Sequence, residues 1–339
     1  MSVLRNLLWP IAVVYGVVLR IRHLLFDANI LPSRKAAIKT IALGNVALGG
    51  TGKTPHAAYI LELLKEFEHR AFLSRGYGRK TSGFLRINGD SHVEQVGDEP
   101  LLIARRFPYL DCFVGEDRLS AIEQIARQTQ SNLVVLDDAL QHRKLQPDVA
   151  LMLTTWDQPF VEDALLPVGR LRDLKLRVKK ADAVIVSKCP ADVSKDDRAN
   201  MANRLDLLEV PVFYSRIAYG QPIAVQSGHS LSGGDSVLVV TGIANADLFL
   251  QYVKSCYHVV DHMSYPDHAS FSAADLAEWG AKKSGQHINV LTTEKDAMRL
   301  FGMNLPQELR VFYIPIEVVL IGEGEKERLK ALILKKIND

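Results

Sequence analysis

The chain has 339 residues, enough for two cores of ordinary size, and its 47% hydrophobic and 24% charged content excludes a disordered chain and a polytopic membrane protein. Its 41 basic and 39 acidic residues nearly cancel, which argues against a protein whose main partner is nucleic acid. Cys112, Cys189 and Cys256 are widely spaced and odd in number, which suits a reducing compartment better than a disulfide framework.

At the amino terminus, Leu7 to Leu19 reads LLWPIAVVYGVVL, an uncharged run of 13 residues followed at once by Arg20, Arg22 and His23. As a helix this run spans roughly 20 Å, short of the roughly 30 Å of bilayer hydrocarbon. The basic cluster stands where a signal peptide would carry its small-residue cleavage site. An interfacial anchor fits these residues better than a helix packed on the protein's own core. Trp9 and Tyr15 would sit at headgroup depth, with Arg20, Arg22, Arg34, Lys35 and Lys39 toward anionic lipid.

Apolar runs of strand length follow at Thr40–Leu43, Ala71–Ser74, Cys112–Val114, Leu133–Leu136, Val149–Leu153 and Ala183–Val186. Between them lie amphipathic stretches at Ala57–Phe67, Leu101–Phe107 and Leu119–Gln128. The alternation predicts βαβ units and a parallel sheet covered on both faces. A smaller set starts near Ser236 with VLVVTGI, continues through a helix at Ala246–Lys254 and includes a strand at Asn289–Leu291. Val210–Arg216 leads into this set and Arg310–Ile314 leads out, and the two are read as the paired strands of a hinge. Glu325–Ile337 puts Leu329, Leu332, Ile333 and Ile337 on one helical face, so it docks on a core. The expected organisation is an amino-terminal helix (1–30), a nucleotide-binding domain (31–209), a linker (210–235), a smaller α/β domain (236–309), and a return strand with a final helix (310–339).

The strongest chemical signal is GNVALGGTGKTP over Gly44–Pro55, placed after the first strand and opening a helix. Glycines in that context turn backbone N–H groups inward to cradle phosphate oxygens at a helix N-terminus. Gly49, Gly50, Thr51 and Gly52 form the cradle, Lys53 reaches the β- and γ-phosphates, and the Thr54 hydroxyl ligates Mg²⁺. Pro55 falls in the first helical turn, where a missing N–H costs nothing. The usual pattern opens with glycine five residues before Gly52, and here Ala47 stands there. An acidic strand end is the second half of such a site, and Asp137 and Asp138 supply it after Leu133–Leu136; which of the two meets the metal is open. The expected fold is therefore α/β, a P-loop NTPase-type parallel sheet sandwiched by helices, with the smaller domain joined through the hinge.

A phosphate loop does not say what accepts the phosphoryl group. Further segments are Ser74–Gly78 (SRGYG), Gly97–Pro100 (GDEP), Asp117-Arg118, Asp137–His142 (DDALQH) and Leu166–Arg172 (LPVGRLR). In the second set come Pro266-Asp267-His268 with Phe271, and Leu291–Asp296 (LTTEKD). In this order and spacing, with Gly44–Pro55 and the hydrophobic amino-terminal helix, they resemble the tetraacyldisaccharide 4'-kinase family over most of the chain. Ala139 replaces a glycine of that pattern, Arg170 a proline, and Ala269 a second His or Tyr.

The resemblance implies transfer of the ATP γ-phosphoryl to the 4'-hydroxyl of an acylated glucosamine disaccharide 1-phosphate, a lipid A precursor. It also implies work at the cytoplasmic face of the bacterial inner membrane, on the inner leaflet, as a peripheral or monotopic protein. Neither nucleic acid nor a required protein partner is expected. Asp98 is implied as the base and His268 as its partner across an interdomain cleft. A plain helix N-cap at Asp98 and an ordinary loop histidine at His268 are the bland readings of the same residues. Asp261, His262, Asp267 and His268 match no structural zinc spacing. Arg118 joins Lys53 in the catalytic set, and Arg75, Arg170 and Arg172 are assigned to anionic parts of the substrate, where guanidinium forks suit phosphate. His142 is open between nucleotide contact and structure, and Glu294-Lys295-Asp296 between the cleft and a helix start. The rival from another class is a membrane-associated nucleotide switch that controls a partner.

Overall fold

The computed structural model describes residues 7–339 except 208, 227 and 283–286. The amino-terminal helix α1 (Trp9–Asp27) leads into β1 (Lys39–Asn45), α2 (Lys53–Leu63), β2 (Arg70–Ser74) and β3 (Leu85–Ile87). Then come α3 (Val93–Val96), α4 (Asp98–Arg106), β4 (Asp111–Val114), α5 (Arg118–Gln128), β5 (Leu133–Leu136), β6 (Val149–Thr155), β7 (Ala183–Ser187), α6 (Lys195–Leu205) and β8 (Val212–Tyr219). The rest is β9 (Ile223–Ala224), β10 (Ser236–Thr241), α7 (Asp247–Cys256), β11 (His258–Ser264), α8 (Ala273–Ala281), β12 (Ile288–Thr293), α9 (Glu294–Leu300), β13 (Leu309–Ile314), β14 (Ile316–Leu320) and α10 (Glu325–Asn338).

The first sheet runs β14-β8-β7-β6-β1-β5-β2-β4-β3, parallel from β8 to β4 and closed at each edge by an antiparallel strand. Its central strands are buried on both faces, which is why they read as continuous apolar runs rather than alternating ones. β1 lies between β5 and β6, so the order turns there, the kind of switch point past whose strand carboxyl ends open α/β sheets bind ligands. The second sheet runs β11-β10-β12-β13-β9 around Trp279, Phe271 and Phe312.

The hinge differs from the expected pairing. β8 pairs antiparallel with β14, Ile316 opposite Tyr219, while Arg310–Ile314 belongs to the second sheet between β12 and β9. Pro315 is the reason. It has no N–H for a ladder, so the strand run from Leu309 to Leu320 breaks there and changes sheet. On the other crossing, the Gly220 N–H donates to the Pro315 carbonyl at 2.9 Å. After β14, α10 returns to the first core and buries Leu329, Ile333 and Ile337 beside Ile41, Leu151 and Phe213, with Leu332 partly covered.

α1 is longer than the uncharged run, because Arg22 and His23 turn toward the protein and the helix continues past them. Its 19 residues make it long and apolar enough, by length and composition, to cross a membrane. Ala12, Gly16, Leu19, His23 and Phe26 face inward, while Trp9, Val13, Val14, Val17, Val18, Ile21 and Leu24 are exposed. Tyr15 is half-buried, and its hydroxyl donates to the Arg172 carbonyl at 2.9 Å rather than lying free for headgroups. Arg22 likewise donates to the Gln141 carbonyl at 3.0 Å.

Candidate active site

β1 ends at Asn45, the loop turns through Gly49 (φ 109°) and Gly52 (φ 82°), and α2 starts at Lys53. A side chain on Gly49 would meet nothing within 4 Å, so the loop is open to solvent at this turn. Ala47 occupies its glycine position without strain: it is absent from the left-handed region, is buried, and forms a bridge with Leu171. The Leu48 N–H donates to the Arg170 carbonyl at 2.7 Å and the Arg172 N–H to the Val46 carbonyl at 2.8 Å, so the Leu165–Arg172 segment zips the loop in place. Asn45 donates to the Thr51 hydroxyl at 2.9 Å and accepts from Lys53 Nζ at 3.4 Å.

The two aspartates part company at the end of β5. Asp137 keeps the strand direction and accepts from the Thr54 hydroxyl at 2.8 Å, while Asp138, at φ 49°, swings toward Lys53 Nζ at 3.8 Å. Arg172 closes on Asp138 with both arms and also donates to Asn45. Burial pushes the Asp137 carboxyl up to about 7, aided by Glu99 and only partly opposed by Lys53. Its Oδ1 is buried without a hydrogen-bond partner. Burial also acts on Asp138, but the Arg172 bonds and Lys53 outweigh it and hold that carboxyl below its usual range. An orphaned carboxylate oxygen beside a hydroxyl fits a hard divalent cation, which takes the rest of its oxygens from phosphate and water. Among the described residues no cluster of three or more His, Cys, Asp or Glu side chains forms a metal site of its own. Asp261 pairs with Lys282 at 2.7 Å and His262 bonds Thr241 at 2.8 Å.

Asp98 opens α4 and is 2% exposed. Its place depends on two glycines. A Cβ on Gly97 (φ 92°) would stand 2.9 Å from the Tyr77 carbonyl, and one on Gly76 (φ 72°) 2.8 Å from the Val96 carbonyl, so the two motif segments pack backbone to backbone. From the other sheet, His268 Nδ1 lies 2.9 Å and 3.2 Å from the two Asp98 oxygens. The loop that carries His268 is strained, with φ 61° at a non-glycine residue. Arg299, bound to Asp296 and to the Gly242 carbonyl, underpins that loop and brings Nε to 3.8 Å from Asp98. Lys295 Nζ contacts His268 Nε2 at 3.2 Å, Asp267 at 3.1 Å and Glu99 at 3.3 Å. Burial drives Asp98 upward, but the His268 bond and the charges of Lys295 and Arg299 prevail and leave it below the ordinary range. The Asp98 bond raises His268 in turn. Tyr77, exposed, packs its ring 5.1 Å from the His268 ring.

The arginines divide. Arg118 is buried and donates to the carbonyls of Gly115 and Glu116 at 2.9 Å and of Asp138 at 3.4 Å. Arg170 is held by Asp163 at 2.8 Å. Arg75 is exposed, close enough to Arg118 to help depress it after burial to about 10. His142 lies 3.6 Å from Asp117. In the Glu294-Lys295-Asp296 segment, Thr293 caps α9 through the Asp296 N–H, Asp296 accepts from the Gly242 N–H at 3.0 Å, and Lys295 reaches His268. Lys188 was not singled out in the sequence. At φ 57° past β7, its Nζ is 3.9 Å from where a side chain on Gly50 would begin, and burial lowers its ammonium. A lone lysine in SKCP carries no spacing signal that could have found it.

A lysine-tipped loop between strand and helix, an acidic strand end against it, and a buried carboxylate held by a histidine from the second sheet's side define a phosphate-loop protein built for phosphoryl transfer. The profile of the Tetraacyldisaccharide-1-P 4'-kinase family matches residues 4–338, and the chain belongs to that family. Its relatives include the tetraacyldisaccharide 4'-kinases of Flavobacterium johnsoniae, 36% identical with 96% of this chain and 95% of that protein covered, and of Porphyromonas gingivalis W83, 37% identical with 96% and 97% covered. The crystal structure of LpxK from Aquifex aeolicus in complex with ATP superimposes with a TM-score of 0.78 at 27% identity, over 98% of this chain and 99% of that one. The chain is thus a kinase, and the switch reading is not favoured.

Proposed function

We propose that the chain transfers the γ-phosphoryl group of Mg-ATP to the 4'-hydroxyl of an acylated glucosamine disaccharide 1-phosphate at the cytoplasmic face of the inner membrane. The observation that supports the reading is the Asp98–His268 contact, a desolvated carboxylate from the first sheet's helices against an imidazole from the second sheet's loops. The Asp98 carboxylate takes the hydroxyl proton as the O4'–Pγ bond forms and the bond from Pγ to the bridging oxygen breaks, with ADP as the leaving group. A depressed carboxylate is a weak base, which suffices where the hydroxyl proton leaves late. His268 donates Nδ1–H to align it, and Lys295 on Nε2 fixes that tautomer. Lys53 and the loop N–H groups hold the phosphates. Mg²⁺, held by Thr54 and Asp137 when bound, supplies charge neutralisation at the phosphate oxygens.

Arg172 fixes Asp138, Arg118 fixes the backbone beneath it, and the exposed Arg75 is the guanidinium left to meet a substrate phosphate. The apolar outer face of α1 supports engagement of the membrane in which an acylated acceptor lies. The test is coupling. ATP consumption by purified protein in detergent micelles should be slow alone and rise with acceptor lipid. Equal consumption with and without lipid would overturn the reading.

A further inference from the structure

The hydrogen bonds of α1 do not end at the domain surface; they lead to the phosphate loop. Arg172 is fixed at both ends of its peptide, its N–H on the Val46 carbonyl at 2.8 Å and its carbonyl under the Tyr15 hydroxyl at 2.9 Å. The next residue, Asp173, is 2% exposed and meets His23 Nε2 at 2.6 Å. Arg143 approaches His23 Nδ1 at 2.8 Å, and a guanidinium can only donate, so Nδ1 accepts and the Nε2 proton faces Asp173. Arg143 and Lys180 both close on Asp27 at the end of the helix, at 2.8 and 2.7 Å. A second route runs from Arg22 to the Gln141 carbonyl at 3.0 Å and from the Gln141 amide to the Asn45 carbonyl at 2.7 Å. Both routes end on groups that touch Lys53: Asp138, held by Arg172, and Asn45.

An anchor needs none of this. Membrane binding requires the exposed face of α1, whereas these contacts lie on its buried face and select the two peptides that set the Arg172 and Asn45 side chains. We propose that α1 is a positioning element of the nucleotide site, with Tyr15 and the His23–Asp173 pair holding Arg172 on Asp138 so that the phosphate loop is preformed for nucleotide. This rests on the phosphate loop being the nucleotide site. It makes seating of the helix and readiness of the loop one event: a helix displaced from its groove leaves Asp138 and Lys53 paired without Arg172 between Asp138 and Asn45.

The full-length protein in detergent micelles is titrated with a fluorescent ATP analogue, without acceptor lipid. Tyr15→Phe and Asp173→Asn should each weaken binding about five- to tenfold, the loss of roughly one hydrogen bond. Co-sedimentation with phosphatidylethanolamine–phosphatidylglycerol vesicles should be unchanged. The double variant Tyr15→Phe/Arg172→Lys should bind no more weakly than Arg172→Lys alone, because the hydroxyl acts through that guanidinium. Wild-type affinity in both single variants, or losses that add in the double, would overturn the proposal. Lys53→Ala runs beside them: if it binds nucleotide normally, the phosphate-loop reading itself falls and the helix proposal with it.

Discussion

Asp98 stays ionised inside the protein because three cationic or proton-donating groups converge on it, and its chemistry depends on that balance. Asp98→Asn keeps the shape, cannot take a proton, and should lower kcat by about 10²- to 10⁴-fold in steady-state assays. His268→Gln should cost less, since it removes only alignment. It also has a stability signature. His268 is raised above 6.5 in the fold, so its contribution is full below pH 6.5 and disappears as pH rises through the raised value. Asp98 is lowered below 3.8, so its contribution is full above that and disappears as pH falls through the depressed value. The melting-temperature gap between wild type and His268→Gln should therefore be widest between those limits and narrow in alkali. Asp137 has the opposite sign. A carboxyl raised from 3.8 to about 7 ionises more readily unfolded than folded, so without a cation it destabilises the fold increasingly as pH rises from 3.8 to about 7, and fully above that. Asp137→Asn should raise the melting temperature of nucleotide-free protein at pH 8 and remove the further rise that Mg-ATP gives to wild type. The residues of this site were legible unequally. Loop and paired aspartates announce themselves in sequence, but the choice between Asp137 and Asp138 turns on one backbone dihedral at Asp138, which no spacing encodes. Asp98 and His268 lie 170 residues apart, so motif resemblance, not periodicity, joined them.

At the scale of elements, alternating strands and helices were readable because buried parallel strands are apolar throughout and the helices between them keep one apolar face. The sequence does not distinguish the hinge partner from its neighbour, because Arg310–Ile314 and Ile316–Leu320 are both β-rich, and Pro315, which separates their sheets, reads locally as a minor interruption. The docking of α10 was evident from its apolar face, but not where it docks, since contact across the whole chain leaves no local trace. That contact makes the last helix a part of the first core: Ile333→Ala should destabilise the protein by about 2–5 kcal/mol in denaturant titration, as for other fully buried aliphatic truncations. Gly97→Ala, at positive φ and against the Tyr77 carbonyl, should cost about 1–3 kcal/mol and lower turnover as well, because it displaces Asp98.

The whole molecule is two cores crossed twice by the chain, at Gly220 and at Pro315, with the side chains of the candidate site divided between them. The phosphate loop, Thr54, Asp137 and Asp98 belong to the first, and His268, Lys295 and Arg299 to the second. Such a division excludes water only when the cores meet, the condition under which phosphoryl transfer to an alcohol outcompetes transfer to water. The most direct test of this account is mass spectrometry of the lipid after incubation of detergent-solubilised protein with Mg-ATP and a tetraacylated glucosamine disaccharide 1-phosphate, for wild type, Lys53→Ala and Asp98→Ala. One added phosphate on the 4'-oxygen with wild type, and at least about 10²-fold slower formation with either variant, is the predicted result. No phosphorylated lipid with wild type, or an Asp98→Ala variant as fast as wild type, would contradict it.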